Sequence, residues 1–266
     1  MTTHAIPAVR LPYVAHGEPA GLPVVLLHGY SDSCRSFEPV FEHLPASVRA
    51  YAVTQRGHGD APRPDGGYDV KQLARDVVAF IDDAGIERAV VAGHSMGGLV
   101  LMGARPTFRD LDDLYAEIEA FGDAVDPRWV REFQLSTLAR PVPAEWLDMV
   151  VEESLKVPAR VWKALVEPTL RADHAGELGR ISAPVLLAWG DQDGIARRAD
   201  QDELLRLIPG ARLVVYEGGG HAFHWEDPAA FARDLSAFVG EVVARAQGPA
   251  RGGEGSPPRN VPRSLS

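Results

Sequence analysis

The sequence lacks several features that mark large classes of protein. Cys34 is the only cysteine in 266 residues, which rules out an intrachain disulfide and a multi-cysteine metal cluster. Lys and Arg number 27 against 37 Asp and Glu, and the resulting net charge of −10 offers no basic surface for a phosphate backbone. We therefore expect a reducing, cytoplasmic location and no nucleic-acid partner.

Long apolar runs are also missing from the chain. No run approaches the length of a membrane span, and the N-terminal stretch has no apolar core behind a basic start, so we expect no membrane association. Residues 247–266 are rich in Gly, Pro, Ser and Arg and predict a disordered tail. The rest of the chain has ordinary globular composition, with 45% hydrophobic and 24% charged residues, and one main domain is the default. The sequence leaves the oligomeric state open.

Short apolar runs recur along the chain and predict strands that are buried on both faces, as in a parallel sheet. These runs cover residues 22–27, 48–53, 89–92, 185–189 and 211–216. Between several of them lie helical patterns, such as residues 70–84, where apolar side chains recur on one face. The alternation predicts an α/β fold with a mostly parallel, doubly wound sheet.

The alternation breaks over residues 105–179, where no strand-like run occurs and apolar residues recur at helical spacing. We expect an all-helical lid at 105–179, inserted into a core domain formed by residues 1–104 and 180–246. Its aromatic residues are explained most simply by packing among the helices, although the segment as a whole could line a pocket. The most prominent of them are Trp129, Phe133, Trp146 and Trp162. Such a lining favours a small, uncharged, hydrophobic substrate.

One motif points to chemistry. Residues 93–97 read Gly-His-Ser-Met-Gly and fit the pattern G-x-S-x-G directly after a strand-like run. A serine on a sharp turn at the end of a strand projects its hydroxyl out of the sheet, and small residues on either side prevent steric collision. The motif predicts that Ser95 is a nucleophile, and the alternative is an ordinary turn serine.

A serine hydroxyl is a weak nucleophile unless a base removes its proton, so a histidine and a carboxylate should follow in the chain. Asp191 and Asp193 come directly after the run at 185–189, and His221 follows the glycines after the run at 211–216. The carboxyl ends of parallel strands meet at one edge of the sheet, where sites are built. Asp191 and His224 remain as alternatives to Asp193 and His221.

An acyl-transfer site also needs backbone N–H groups that face the carbonyl oxygen as it gains charge. We expect the amide of Met96, next to the serine, and the amide of Tyr30, in the loop after the first core strand, to form this oxyanion hole. The neighbouring His28, His58 and His94 are interpreted as structural, and Cys34 as an unreactive thiol.

Five separate motifs resemble the α/β-hydrolase family, and within it the small lidded serine esterases. They are His28-Gly29-Tyr30, Arg56-Gly57-His58-Gly59, residues 93–98, Trp189-Gly190-Asp191-Gln192-Asp193 and Gly220-His221. The resemblance covers residues 22–239. It implies that Ser95 is the nucleophile, that His221 is the general base and acid, and that Asp193 rather than Asp191 orients the imidazole.

The resemblance also implies a reaction class. A serine at this position indicates ester hydrolysis through an acyl-enzyme, with carbon–carbon bond hydrolysis, lactone opening and perhydrolysis as variants. The substrate would be a small molecule, and no metal or organic cofactor would be required.

The chain departs from the family after Gly98, because the apolar run at 99–102 follows the glycines at once. A parallel crossover takes about a dozen residues or more, so a turn, a helix and a strand cannot all fit before Pro106. Of the two elements, we predict that residues 96–104 form a short helix and that the strand is lost. The shortened crossover also raises an alternative function, that of a catalytically impaired binding or receptor protein.

Overall fold

A computed structural model describes residues 6–95, 100–108 and 111–247 of the chain. Its sheet has seven strands: β1 (Tyr13–His16), β2 (Leu22–Leu27), β3 (Val48–Val53), β4 (Val90–His94), β5 (Val100–Met102), β6 (Leu186–Gly190) and β7 (Arg212–Tyr216). Their order across the sheet is β1-β3-β2-β4-β5-β6-β7. All neighbouring strands are parallel except β1, which runs antiparallel to β3. The predicted fold class is confirmed.

Ten α-helices are described: α1 (Glu38–Phe41), α2 (Val70–Asp83), α3 (Asp112–Glu119), α4 (Pro127–Ser136), α5 (Ala144–Leu155), α6 (Ala159–Arg171), α7 (Ala175–Leu178), α8 (Arg198–Leu207), α9 (Phe223–Glu226) and α10 (Pro228–Gln247). Two of them start at acidic caps, since the Asp69 carboxylate accepts a hydrogen bond from the third residue of α2 and Asp126 precedes a first-turn proline in α4. None of these helices is long and apolar enough to cross a bilayer. The predicted tail beyond Gln247 lies outside the described residues.

Apolar side chains cover both faces of the sheet. This explains why the strand sequences are nearly continuous runs of apolar residues. Residues 24–26 of β2 are 0% exposed. Val24 and Leu26 pack in the cluster that includes α10, whereas Val25 belongs to the cluster that includes α2. A strand between two helical layers has no solvent-facing side, so the polar alternation of a half-exposed strand does not occur.

The short helix that we predicted over residues 96–104 is wrong for residues 100–102, which form β5. This strand pairs with β4 on one side and β6 on the other. Val100 and Met102 are both 0% exposed. The strand is favoured because it fills the gap between β4 and β6. Without it, the facing edges of β4 and β6 would be unpaired inside the protein.

The link between β4 and β5 is short for two parallel neighbours. β4 ends at His94 and β5 begins at Val100, so only residues 95–99 join them, and 96–99 lie outside the described part of the chain. Val91 of β4 and Leu101 of β5 lie on the face of the sheet that packs toward α2 and α8, and their side chains are only partly buried. Val100 of β5 lies on the opposite face and is fully buried.

Helices α3 to α6 pack around one indole. Trp162 is 0% exposed and meets Tyr30, Phe121, Trp129 and Phe133 in edge-to-face contacts. Such aromatic contacts add to the free energy of simple burial. The helices therefore share a core of their own, and this core reaches the sheet domain through Tyr30.

A buried ion pair connects the loop after β3 to α2. The guanidinium of Arg56 donates through Nε and Nη2 to the two carboxylate oxygens of Asp76, at 2.7 and 2.9 Å. The side chains are 0% and 1% exposed. Arg56 also donates to the carbonyls of Pro7 and Gly66, and Asp76 accepts from the amide of Val9. This pair thus fixes the N-terminal segment to the sheet domain.

Candidate active site

Ser95 lies directly after β4, at the edge of the sheet where the parallel strands end. Its φ of 59° is left-handed, a conformation that costs free energy for any residue with a Cβ. The amide of Ser95 donates to the carbonyl of Met102 at 2.8 Å, which holds this turn against β5. The strained turn is what an exposed nucleophile at the end of a strand requires. Met96, the predicted second oxyanion donor, lies outside the described residues.

Asp193 and His221 come together across the ends of β6 and β7. Nδ1 of His221 lies 2.8 Å from Oδ2 of Asp193, and the carboxylate side chain is 0% exposed. Oδ1 of Asp193 accepts the amides of Ile195 and Ala196, both at 2.8 Å, so the carboxylate is held from two directions. With Nδ1–H donating to the carboxylate, Nε2 of His221 carries the free lone pair that a general base needs.

Ser95 and His221 line the same cavity. Most of its wall is apolar and is contributed by helices α4 and α6 as well as by the sheet domain, with Phe133, Val166 and Leu170 as examples. A mainly apolar cavity with a few convergent polar groups is typical of small-molecule sites.

The alternative candidates have other surroundings. Asp191 is exposed, and its Oδ1 accepts the amide of Gly218 at 2.6 Å, so it shapes the loop after β7. His224 is 0% exposed, and burial lowers its pKa to about 3, so the ring is neutral. The centre of its ring lies 4.6 Å from that of His94, so His224 packs behind the site as a buried ring.

Three further histidines hold loops near the cavity. Nε2 of His28 accepts the amide of Gln55 at 2.9 Å, and Nδ1–H of His58 donates to the carbonyl of Arg56 at 2.9 Å. Nε2–H of His94 donates to the carbonyl of His221 at 3.0 Å. His94 precedes the predicted nucleophile in the chain, and this hydrogen bond holds the backbone of the predicted base. Burial is the main cause that lowers the pKa of all three rings, so they are neutral hydrogen-bonding groups.

The loop after β2 brings Tyr30 to the cavity wall. A Cβ on Gly29 would stand 2.7 Å from Nδ1 of His94, so only glycine allows this approach. No described residue accepts a hydrogen bond from the Tyr30 amide, and the phenol donates to the carbonyl of Trp162. Cys34 is half-buried, and burial raises the pKa of its thiol, as expected of an unreactive cysteine.

Gly103, which follows β5, is a site residue that the sequence did not reveal. Its φ is 58°, and a Cβ there would stand 2.8 Å from Nδ1 of His221 and 3.2 Å from Oδ2 of Asp193. The absence of a side chain therefore leaves room for the Asp–His pair. The only signal in the sequence is a glycine at the end of an apolar run.

We expect Gly103→Ala to lower kcat for a p-nitrophenyl ester by about 100-fold, because displacing a catalytic group by an ångström has an effect of that order. Gly85→Ala is the matched control, since Gly85 has a similar φ of 66° but no atom within 4 Å of its Cβ position. Both variants carry backbone strain, and only Gly103→Ala collides with the imidazole. Equal kcat values for the two variants would contradict this role of Gly103.

Within the described residues, no group of three or more His, Cys, Asp or Glu side chains is arranged to hold a metal ion.

Comparison with known proteins shows a consistent set of relatives. Residues 24–234 match the sequence model of the family described as the alpha/beta hydrolase family. A putative carbamate hydrolase, RutD, from Azorhizobium caulinodans is 28% identical over 253 residues, covering 86% of this chain and 95% of its own. A pimeloyl-[acyl-carrier protein] methyl ester esterase from Neisseria meningitidis is 29% identical, covering 85% of this chain and 79% of its own.

A solved structure extends the comparison to the fold. The crystal structure of a putative aryl esterase from Burkholderia cenocepacia superposes with a TM-score of 0.80 at 22% identity, covering 89% of this chain and 98% of its own. At that level of identity the likeness concerns the fold alone.

Proposed function

Because the chain belongs to the alpha/beta hydrolase family, we propose that it is a serine hydrolase that cleaves a small, uncharged, mainly hydrophobic ester. The observation that carries the proposal is the hydrogen bond between His221 and the buried carboxylate of Asp193, in a cavity that Ser95 also lines. An imidazole oriented in this way is the base that a serine nucleophile needs.

In the proposed reaction, Nε2 of His221 takes the proton of the Ser95 hydroxyl while Oγ bonds to the carbonyl carbon of the ester. The imidazolium then returns the proton to the leaving alcohol oxygen as the C–O bond breaks, which leaves an acyl-enzyme. A water molecule, deprotonated by His221, repeats the sequence and releases the acid and the free serine. The Tyr30 and Met96 amides stabilise the negative oxygen formed in each addition.

The substrate class follows from the cavity and from the relatives. The wall is mainly apolar, which favours an uncharged acyl group, and we propose that helices α3 to α6 act as a lid that excludes water. The relatives include a methyl ester esterase and a putative carbamate hydrolase, so esters come first and carbamates second. The reaction as written needs no cofactor.

The test is covalent labelling by a fluorophosphonate probe, which reacts with activated serines. We expect wild-type protein to be labelled, the modified residue to map to Ser95 by mass spectrometry, and Ser95→Ala to remain unlabelled. A thermal melt confirms that both proteins fold. Folded wild-type protein that stays unlabelled beside a labelled control esterase would contradict the proposal.

A second candidate function is a hydrolase-like binding or receptor protein without turnover. The short link between β4 and β5 favours it, because residues 95–99 are too few for the crossover helix whose N-terminal amides commonly support a developing oxyanion. Hydrolysis of p-nitrophenyl acetate by wild type that is abolished in Ser95→Ala would exclude this candidate.

A further inference from the structure

Asp32 is a buried carboxyl group on the cavity wall that the proposed triad does not use. It is 4% exposed and lines the same cavity as Ser95 and His221. Oδ2 of Asp32 lies 3.4 Å from the point where a Cβ on Gly29 would stand, and Nδ1 of His94 lies 2.7 Å from that point. Asp32 therefore adjoins the loop that is predicted to form the oxyanion hole. The nearby His221 acts on the pKa of the Asp32 carboxyl and lowers it.

The partners of Asp32 are neutral. Oδ1 accepts from the amide of Gln134 at 3.1 Å, and Oδ2 accepts from the hydroxyl of Ser36 at 3.3 Å. In the described part of the chain, no Lys or Arg forms an ion pair with this carboxyl. Burial is the main cause that raises its pKa to about 7. A carboxyl buried without a cation is costly, and such groups concentrate at functional sites.

Gln134 holds Asp32 in place but leaves part of its hydrogen-bonding capacity unused. The two amide hydrogens of Gln134 face three oxygens, those of Ser31 at 3.2 Å, Asp32 at 3.1 Å and Ser154 at 2.8 Å. A carboxylate has about four acceptor positions, of which the Gln134 and Ser36 side chains fill two and the Gly29 backbone a third. Ser31 itself has a left-handed φ of 68°, so the turn that presents Asp32 is strained.

The rest of the wall makes this polar spot distinctive. Phe133 is next to Gln134 in sequence, and Val166 and Leu170 line the cavity from α6. In an apolar cavity, a fixed polar group with unused acceptor positions orients a ligand that can donate to it. A ligand without such a donor would displace water from the cavity and leave the Asp32 carboxyl without a hydrogen-bond partner at its unused positions.

We propose that Asp32 and Gln134 form a subsite that binds a hydrogen-bond-donating group, a hydroxyl or an amide N–H, on the acyl part of the ester. The proposal rests on the proposed function, and it sharpens the substrate class from a hydrophobic ester to a hydrophobic ester with one such donor. Asp32 is then a specificity residue, and Gln134 is the residue that positions it.

The test compares methyl 3-hydroxybutanoate with methyl butanoate, which differ by one hydroxyl. We expect wild type to prefer the hydroxylated ester by about tenfold or more in kcat/KM. Asp32→Leu and Gln134→Met should each reduce this ratio toward one, whereas Thr169→Val, which alters another polar side chain of the wall, should leave the ratio unchanged. A wild-type ratio near one, or a ratio that survives in both Asp32→Leu and Gln134→Met, would overturn the proposal.

A binding measurement separates failure of the subsite from failure of the proposed function. Calorimetry of Ser95→Ala with each intact ester should show tighter binding of the hydroxylated one, and the difference should vanish in Ser95→Ala combined with Asp32→Leu. This outcome supports the subsite even if wild type turns over neither ester. Equal binding of the two esters, or no binding of either, overturns it.

Discussion

Asp193→Asn is expected to lower kcat for p-nitrophenyl acetate by about 10⁴-fold without unfolding the protein. Asparagine keeps an oxygen that can accept the amides of Ile195 and Ala196, so its NH₂ group must face Nδ1 of His221. That contact makes Nδ1 an acceptor and moves the ring proton to Nε2. The imidazole then has no lone pair toward Ser95 and cannot take the serine proton.

Asp191→Asn is the matched control, because Asp191 is the other carboxylate of the same loop and is exposed. Its kcat should stay within about threefold of wild type, because asparagine keeps an oxygen that can accept the Gly218 amide and the side chain faces that loop rather than His221. Steady-state kinetics at neutral pH, with a thermal melt of each variant, gives the comparison. A large loss in Asp191→Asn with little loss in Asp193→Asn would reverse the assignment.

Asp76→Asn should lower the free energy of unfolding by about 3–5 kcal/mol, the usual cost of removing one partner from a buried ion pair. The substitution keeps the size of the side chain, so packing changes little. It removes the charge that compensates the Arg56 guanidinium, which is 0% exposed and cannot turn toward water. Urea denaturation followed by circular dichroism measures the change.

The control for this prediction is Asp202→Asn in α8. Asp202 pairs with Arg198 one helical turn away, and their side chains are 56% and 59% exposed. An exposed helical pair contributes about 0.3–0.5 kcal/mol, so this variant should unfold close to wild type. A similar change in both variants would mean that burial does not decide the strength of the Arg56–Asp76 pair.

Most of the parallel sheet could be predicted from the sequence, because a strand buried on both faces is a continuous apolar run. The bounds predicted for β2 and β3 coincide with those of the structure. β1 was not predicted, since its residues are exposed or half-buried and its sequence, Tyr-Val-Ala-His, has no apolar run. It is an edge strand that depends on pairing with β3, which local sequence does not encode.

The residues proposed for catalysis were found from motifs, because acyl transfer needs a serine, an imidazole and a carboxylate at strand ends. The choice of Asp193 over Asp191 rested on family resemblance alone. In the structure the two carboxylates differ by their direction: Asp193 turns inward to His221, and Asp191 turns outward to the amide of Gly218. Because Asp191 and Asp193 are so close in sequence, only the course of the loop decides which carboxylate faces His221.

By itself, the sequence determined the parallel sheet and the order of its chemical groups, since both depend on local runs and short motifs. Tertiary structure alone decided that residues 100–102 form a strand, that Gly103 leaves room for His221, and that Asp32 faces the cavity. Each of these depends on neighbours distant in the chain. The strand is a clear case, because Val100 and Met102 suit either a helix or a strand, and the unpaired edges of β4 and β6 select the strand.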